Sequence, residues 1–488
     1  MKKKFFYTLF LFLCFIAYAQ KTNIPNVYKY TLKNGLELFI AENDSAPLVY
    51  IEIAVRAGAV TQTPKTAGLF HLYEHMMFKG NSKFKNQKEV TEELNKLGVS
   101  DWNGTTGVDR VNYYFTIPSS MLEKGLEFWS YAIRTPLLDT KELENEKNVV
   151  LSEIIGNQSD SSRIFSSGLF KNLFSESPWK LDSGGNPENI KNCTVQQLKE
   201  IQQKFYVPNN SALFVGGDVQ HEEVYKLVNK IYGDWKLNIN DLTEEQVNNF
   251  SDKITDKKED IKLVYSDPRN SGNIIQFAYY LQGPNGQTDE NDTYAADVWS
   301  YLVDNPNGNF FKDILKEKSF EIPDEDYVGA FYSTQRLSGI IGFSAAMLNT
   351  SQLPVWEKTD NFLTFIKTKS IPNMLNSDSG FENKNIVSVK NKIEDSRIYS
   401  LETAEGFLSG LSYAWSSCNS DYFFHYDENI LKVDSEDIKE FVKKYLVNKS
   451  GVCVVSVNPE YYKKNKTEFD SAGWKELNSS NAFWWMKK

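Results

Sequence analysis

Apolar and polar positions alternate along "VYKYTLKNGLELFIAEN", residues 27 to 43, on both sides of an Asn34-Gly35 pair. A period of two interrupted by a turn dipeptide is the pattern of a β-hairpin. "LVYIEIAVRAGAV" (48–60) continues as a buried strand ending in small residues, and "GLFHLYEHMMFKGN" (68–81) changes to a helical pattern between Gly68 and Gly80. Downstream, "RVNYYFTIP" reads as a strand and "SSMLEKGLEFWSYAI" as an amphipathic helix with serine at its start. "DTKELENEKNVVLSEIIGNQ" reads as a long helix behind an Asp-Thr cap. Strands and helices are interspersed, which predicts an α+β chain of sheet-and-helix layers.

The same pattern returns later. "TVQQLKEIQQKFYV" (194–207) aligns with "DSEDIKEFVKKYLV" (434–447) at an offset of 240, and each is followed by a polar turn and an apolar strand, "SALFVGGDV" and "GVCVVSVN". Core-facing periodicity alone forces some matches between amphipathic helices. The shared helix-turn-strand order points instead to duplication, and 488 residues exceed what one core usually fills. The expected fold is two homologous two-layer α/β sandwich domains, each a mixed, mainly antiparallel sheet packed against helices. Residues 20–240 form the first copy, the polar stretch 241–262 a linker, and 263–488 the second copy.

Hydrophobic residues at 41%, with 32 Phe, 26 Tyr and 10 Trp, are enough for two cores. A net charge of −10 argues against nucleic acid as the main partner. "MKKKFFYTLFLFLCFIAYAQK" has the layout of a secretory signal peptide over 1–19, cleaved after Ala19, so a periplasmic or secreted location is expected. Its apolar run is shorter than the roughly 20 residues that span a bilayer. Bulky Phe12 and Leu13 ahead of Cys14 do not suit a lipoprotein signal. Cys193, Cys418 and Cys453 are scattered and odd in number, so they form no disulfide framework and read as small buried residues, although one pair could bridge in an oxidising compartment.

His71 and His75 stand at i and i+4, so on a helix two imidazoles share one face. Glu74 is rotated from His75 by about 100°, where it can act on a metal-bound water without ligating. Zinc catalysis typically takes three protein ligands and an open position. Glu153, 78 residues beyond His75 on the long helix, is available as the third, with Glu146 seven residues before it on nearly the same face.

At this point the residues resemble a family. The H-x-x-E-H order of 71–75 followed by "EKNVVLSE" resembles the inverzincin signature of the pitrilysin and insulinase zinc peptidases, which include mitochondrial processing peptidase. The resemblance implies His71, His75 and Glu153 as ligands of one Zn2+ per chain, Glu74 as general base, and Glu146 as a carboxylate holding a ligand imidazole. "WNGTTGVDRVNYYFTIP" is similar to the family's N-A-x-T-x-x-D-x-T-x-Y segment, with Gly104 and Val111 as departures. In that family the segment is an edge strand on which substrate backbone is laid, so Asn103 and Gly104 become candidate substrate contacts. The alternative for Gly104 is a turn or bulge.

The implied activity is zinc-dependent endoproteolysis of peptides or unfolded polypeptides in an enclosed chamber. The rival is a non-catalytic peptide-binding or assembly subunit with a structural zinc, which would not need Glu74. "NDTYAADVWSYLVDN", the matching helix of the second copy, has no histidine, so that copy cannot hold the metal and its implied role is to close the chamber. The family's substrate-gripping arginine and tyrosine correspond to "ILKEKSFEIPDEDYVGAFYS", where Lys316 replaces the arginine and Tyr327 is displaced. Two domains make half a chamber, so the expected partner is a homologous subunit without zinc ligands, or a second copy of the chain. His221 reads as a residue near a helix start, and His425 as a packing histidine among aromatics.

Overall fold

The Asn34-Gly35 turn forms as its residues dictate. Gly35 adopts φ 85° and its N–H donates to Leu32 O at 2.9 Å, while the buried Asn34 amide donates to Tyr232 O and Trp235 O and pins the loop to the end of the first domain. A computed structural model of the chain describes residues 20–21, 24, 26–99, 101–175, 180, 182–237, 257–270, 272–305, 308–376, 380–400 and 402–486. The expected signal peptide and residues 241–256 of the expected linker lie outside the described residues.

The first sheet contains β1 (Gln20–Lys21), β2 (Val27–Thr31), β3 (Glu37–Glu42), β4 (Leu48–Val55), β5 (Trp102–Thr106), β6 (Val111–Pro118) and β7 (Ser211–Gly217), in the order β1-β2-β3-β7-β4-β6-β5. The second contains β8 (Ile261–Ser266), β9 (Ile274–Gln282), β10 (Val328–Ser333), β11 (Ile340–Leu348), β12 (Val452–Val457) and β13 (Lys475–Leu477), in the order β10-β11-β9-β12-β8-β13. β3 and β7 pair in parallel, as do β8 and β12, and the neighbouring strands β4 and β9 run antiparallel to β7 and β12. The two sheets share this central pattern and differ at the edge beyond it, where β2 pairs antiparallel with β3 but β13 pairs parallel with β8. The likeness extends to the helix ends: Val195–Phe205 and Ser435–Tyr445 both carry capping boxes, Thr194 with Gln197 and Asp434 with Asp437.

Alternation in β4 serves two cores. Val49, Ile51, Ile53 and Val55 point into the core beneath the first domain's own helices, whereas Tyr50 and Ala54 join a cluster that runs into the second domain. The cover on that second face comes from the other half of the chain. Helix Ala404–Ser417 lies on β3, β4 and β7, and helix Ser161–Leu173 lies reciprocally on β9, β12 and β13. The two copies thus exchange a helix, and each sheet's second face is covered by its partner.

Several local expectations differ from the structure. Ser119 does not cap the helix Leu122–Arg134; it opens a 3-10 turn, and its hydroxyl donates to Asp218. β8 begins at Ile261, two residues before the expected start of the second copy at 263, with the charge of Lys262 taken up by Asp360 at 2.9 Å. His425 is exposed at a helix junction while Tyr422, Phe423 and Phe424 take the buried side, so it is not a packing histidine. His221 begins helix His221–Tyr232, stacked on Tyr28 at 3.6 Å. Cys193, Cys418 and Cys453 are free and buried. No described helix is long and apolar enough to cross a membrane.

Trp415 measures how strongly the exchanged helix bears on the first sheet. It is 1% exposed, meets Phe214 edge-on at 6.0 Å, and carries the Arg56 guanidinium 3.9 Å above its ring. Trp415→Ala should cost about 3–5 kcal/mol in chemical denaturation, the range for truncating a large buried aromatic. A loss below about 1 kcal/mol would show that the contact between the halves is slack.

Candidate metal centre

Helix Leu69–Met77 is fixed by what it buries. Leu69, Phe70, Leu72, Tyr73, Met76 and Met77 enter the core, leaving His71 and His75 half-buried on the remaining face. The chain can enter this helix only through glycine. Gly68 has φ 93°, and a Cβ there would stand 2.7 Å from Gly185 Cα. The long helix Thr140–Ser159 packs alongside, started by Asp139, which accepts from the N–H groups of Lys141 and Glu142 at 2.8 and 3.0 Å.

The seam between these helices brings together the four residues expected there. Glu153 Oε2 lies 3.7 Å from His71 Nε2 and 3.7 Å from His75 Nε2. Among the described residues, His71, His75 and Glu153 are the one group of three or more such side chains whose donor atoms could share an ion, all within 4.8 Å of one another. A tetrahedral zinc with bonds of about 2.0–2.1 Å needs its donors about 3.4 Å apart, so a small inward adjustment suffices. Glu146 Oε2 stands 3.1 Å from His75 Nδ1, leaving Nε2 to face the seam.

The electrostatics also suit a cation. Burial, with the adjacent His75 adding to it, pushes His71 down to about 4, so its imidazole is neutral and free to ligate. Burial also disfavours charge on His75, but the Glu146 hydrogen bond and the charges of Glu153, Glu74 and Glu146 outweigh it and raise its pKa. The carboxylates here stabilise positive charge, which a divalent ion supplies better than a proton. Among the described residues His71 Nδ1 is buried without a hydrogen-bond partner, whereas His75 Nδ1 is held by Glu146, so the two imidazoles are oriented by unequal means.

Glu74 lies between this seam and β5, close enough to His75 and Glu153 to feel their charges. It is 8% exposed, burial raises its pKa, and the Thr106 hydroxyl donates to its Oε2 at 2.6 Å. β5 is the sheet edge, paired with β6 through Asn103 opposite Tyr114 and Gly104 opposite Tyr113. Asn103 is exposed, and its side-chain oxygen accepts from the next N–H at 3.0 Å. Gly104 sits mid-strand in regular pairing, not in a turn or bulge. A Cβ there would come within 3.1 Å of Glu74 Cγ and 3.0 Å of Tyr113 Cδ1, so its missing side chain makes room for Glu74.

Two residues escaped the sequence reading. Thr106 holds Glu74, and the period of two from Gly104 puts it on the same strand face. Lys79 binds Glu146 Oε1 at 2.6 Å and Gln87 at 3.0 Å, and lies four residues beyond His75. Both were inside stretches singled out for other residues. In the second copy, helix Glu290–Val303 contains no histidine and turns Ala295, Val298 and Trp299 into the core. Lys316 ends helix Asn309–Lys316, ion-paired to Asp313, and Tyr327 is exposed just ahead of β10.

Comparison with known proteins agrees with this architecture. Residues 38–182 match the model of insulinase (peptidase family M16), and residues 192–365 that of the peptidase M16 inactive domain. The chain is 26% identical over 220 residues to an uncharacterized zinc protease of Rickettsia bellii, covering 45% of this chain and 51% of that one. It is 25% identical over 228 residues to mitochondrial-processing peptidase subunit beta of Dictyostelium discoideum, covering 45% and 48%. It thus spans about half the length of these curated relatives. In fold it follows the periplasmic protease PqqL of Escherichia coli at 16% identity and TM-score 0.69, covering 93% of this chain and 50% of that one. The motif seam, the duplicated sheets and both family matches lead to one assignment: the chain belongs to the insulinase and pitrilysin peptidase family, M16.

Proposed function

We propose that this chain is a zinc-dependent metalloendopeptidase acting on peptides or unfolded polypeptides laid along the edge of β5. The observation that carries the reading is the pairing of two arrangements on one helix. His71 and His75 converge with Glu153, and Glu74 is seated between that group and an open sheet edge. A purely structural metal site has no use for the second.

Zinc held by His71, His75 and Glu153 would lower the pKa of a coordinated water to about 7 and polarise a substrate carbonyl. The protein's own groups do the rest. Glu74 takes a proton from the attacking water and returns it to the leaving amine. Thr106 orients the Glu74 carboxylate, and Glu146 orients the His75 ring with Lys79 fixing its other oxygen. The free edge of β5 offers main-chain hydrogen bonds to an extended substrate, with Asn103 and Gly104 at the point of contact, which favours unfolded chains over any one sequence.

The likeness to mitochondrial-processing peptidase subunit beta, by name one subunit of an assembly, supports a paired arrangement that encloses the substrate. The preferred partner is a homologous subunit lacking zinc ligands, because Lys316 cannot supply an arginine's bidentate fork; a homodimer is the other arrangement. The lysine-led apolar N-terminus and the likeness to a periplasmic protease support export to the periplasm or beyond.

Glu74→Gln should retain one zinc per chain while peptide cleavage falls by about 10²-fold to 10⁴-fold, the range for losing a general base. Unchanged cleavage would remove Glu74 from the mechanism, and a wild type that binds zinc yet cleaves nothing, even with a partner subunit, would favour a peptide-binding role. Glu146→Gln should weaken zinc binding about 10-fold to 100-fold in a chelator competition, as expected for a group that holds a ligand imidazole. An unaltered affinity would mean the His75 ring is held without it.

A further inference from the structure

We propose that the second half of the chain positions the substrate-binding edge and Glu74 through the turn between β5 and β6, with Asp109 and Arg110 as positioning residues. For its effect on catalysis this rests on the zinc-peptidase reading; the mechanical link does not.

The turn is short and closed. Gly107 N–H donates to Arg110 O at 2.9 Å, and Thr106, which holds Glu74, immediately precedes it. From below, the carbonyls of Gly107 and Val108 accept from the N–H groups of Ala59 and Val60 at 3.1 and 2.9 Å. The remaining anchors come from the other half. The carboxylate of Asp109, 4% exposed, accepts from the Arg336 N–H at 3.0 Å in the loop between β10 and β11. Arg110 Nη1 donates to Ser409 O at 3.1 Å on the exchanged helix Ala404–Ser417, and its guanidinium lies 5.8 Å from the Tyr413 ring.

A second set of bonds supports the same hairpin from its flank. Glu52 on β4 is fully buried and accepts from Tyr50, from Asn112 on β6, and from Ser412 on the exchanged helix, at 2.7, 2.9 and 2.5 Å. Arg110 Nη1 approaches it at 3.7 Å. Asn112 in turn accepts from the Thr105 hydroxyl on β5. Buried carboxylates such as Asp109 and Glu52 are tolerated only where their partners stay in place. The partners are divided between the halves, so the geometry of the hairpin depends on how the halves meet.

An edge strand adds a substrate strand well only if its own backbone is held still, and a general base works only if its carboxylate is held within hydrogen-bond reach. Both conditions are met at β5 by groups whose positions the second half sets. A half that binds no metal then has a catalytic consequence within its own chain.

The test uses the full chain with zinc. Asp109→Ala should speed amide exchange over residues 102–106 by about tenfold or more, the scale for losing a hydrogen bond to a charged group, while helix 69–77 and the zinc stoichiometry stay as in wild type. KM for an extended peptide should rise and kcat fall, and Asp109→Asn, whose carboxamide oxygen still accepts from Arg336, should restore most of both. Arg110→Met provides the same comparison should Asp109→Ala not fold. Exchange at 102–106 that stays within about twofold of wild type, or rises equally in every segment, overturns the proposal. A wild type that cleaves no peptide sinks the peptidase reading, and the exchange comparison still decides the link.

Discussion

The site depends on one seam, where helix Leu69–Met77 lies against helix Thr140–Ser159 and two imidazoles face a row of carboxylates. Packing sets the spacing: six apolar residues hold the first helix in one rotation, and Asp139 fixes where the second begins. Electrostatics then decides what the seam can hold. Glu146 is balanced by Lys79 and His75, and its pKa is lowered, burial notwithstanding. Glu153 has both imidazole Nε2 atoms at 3.7 Å and is the more exposed ligand, at the open side of the site. Two imidazoles facing these carboxylates make a donor set that could hold a metal ion.

Duplication explains why the same architecture carries this chemistry once. Both sheets have a parallel pair flanked by antiparallel strands, and both place a helix where the motif helix stands in the first copy. In the second copy that helix presents Ala295, Val298 and Trp299 to its core and carries no histidine. Exchange of helices Ser161–Leu173 and Ala404–Ser417 makes the copies interdependent, since each covers the face its partner would otherwise expose to water. A cluster spanning Phe39, Phe214, Phe407 and Trp415 ties the halves into one core.

Much of this was legible in the residues, for identifiable reasons. The hairpin, β4, the motif helix and the capped long helix follow from periods of 2 and 3.6 with turn and cap residues at their ends. The 240-residue offset disclosed the duplication because the repeated helix kept its capping and its apolar stripe. The exchange of helices was not legible, because amphipathicity shows that a face is buried and not what buries it. Thr106 and Lys79 were missed because a single hydroxyl or ammonium has no spacing signature until the strand or helix face it shares is known. The alternative of a turn or bulge at Gly104 gives way to regular pairing, and the room its missing side chain leaves is partly taken by Glu74. His425 shows the reverse error: buried aromatic neighbours in sequence did not make it buried.

The central claim is that His71, His75 and Glu153 together form a zinc site. X-ray absorption at the zinc edge of the zinc-loaded chain tests it most directly. The expected spectrum has a first shell of nitrogen and oxygen at about 2.0–2.1 Å with the outer-shell scattering of two imidazoles. A sulfur neighbour at about 2.3 Å, or a first shell without imidazole, would contradict the assignment.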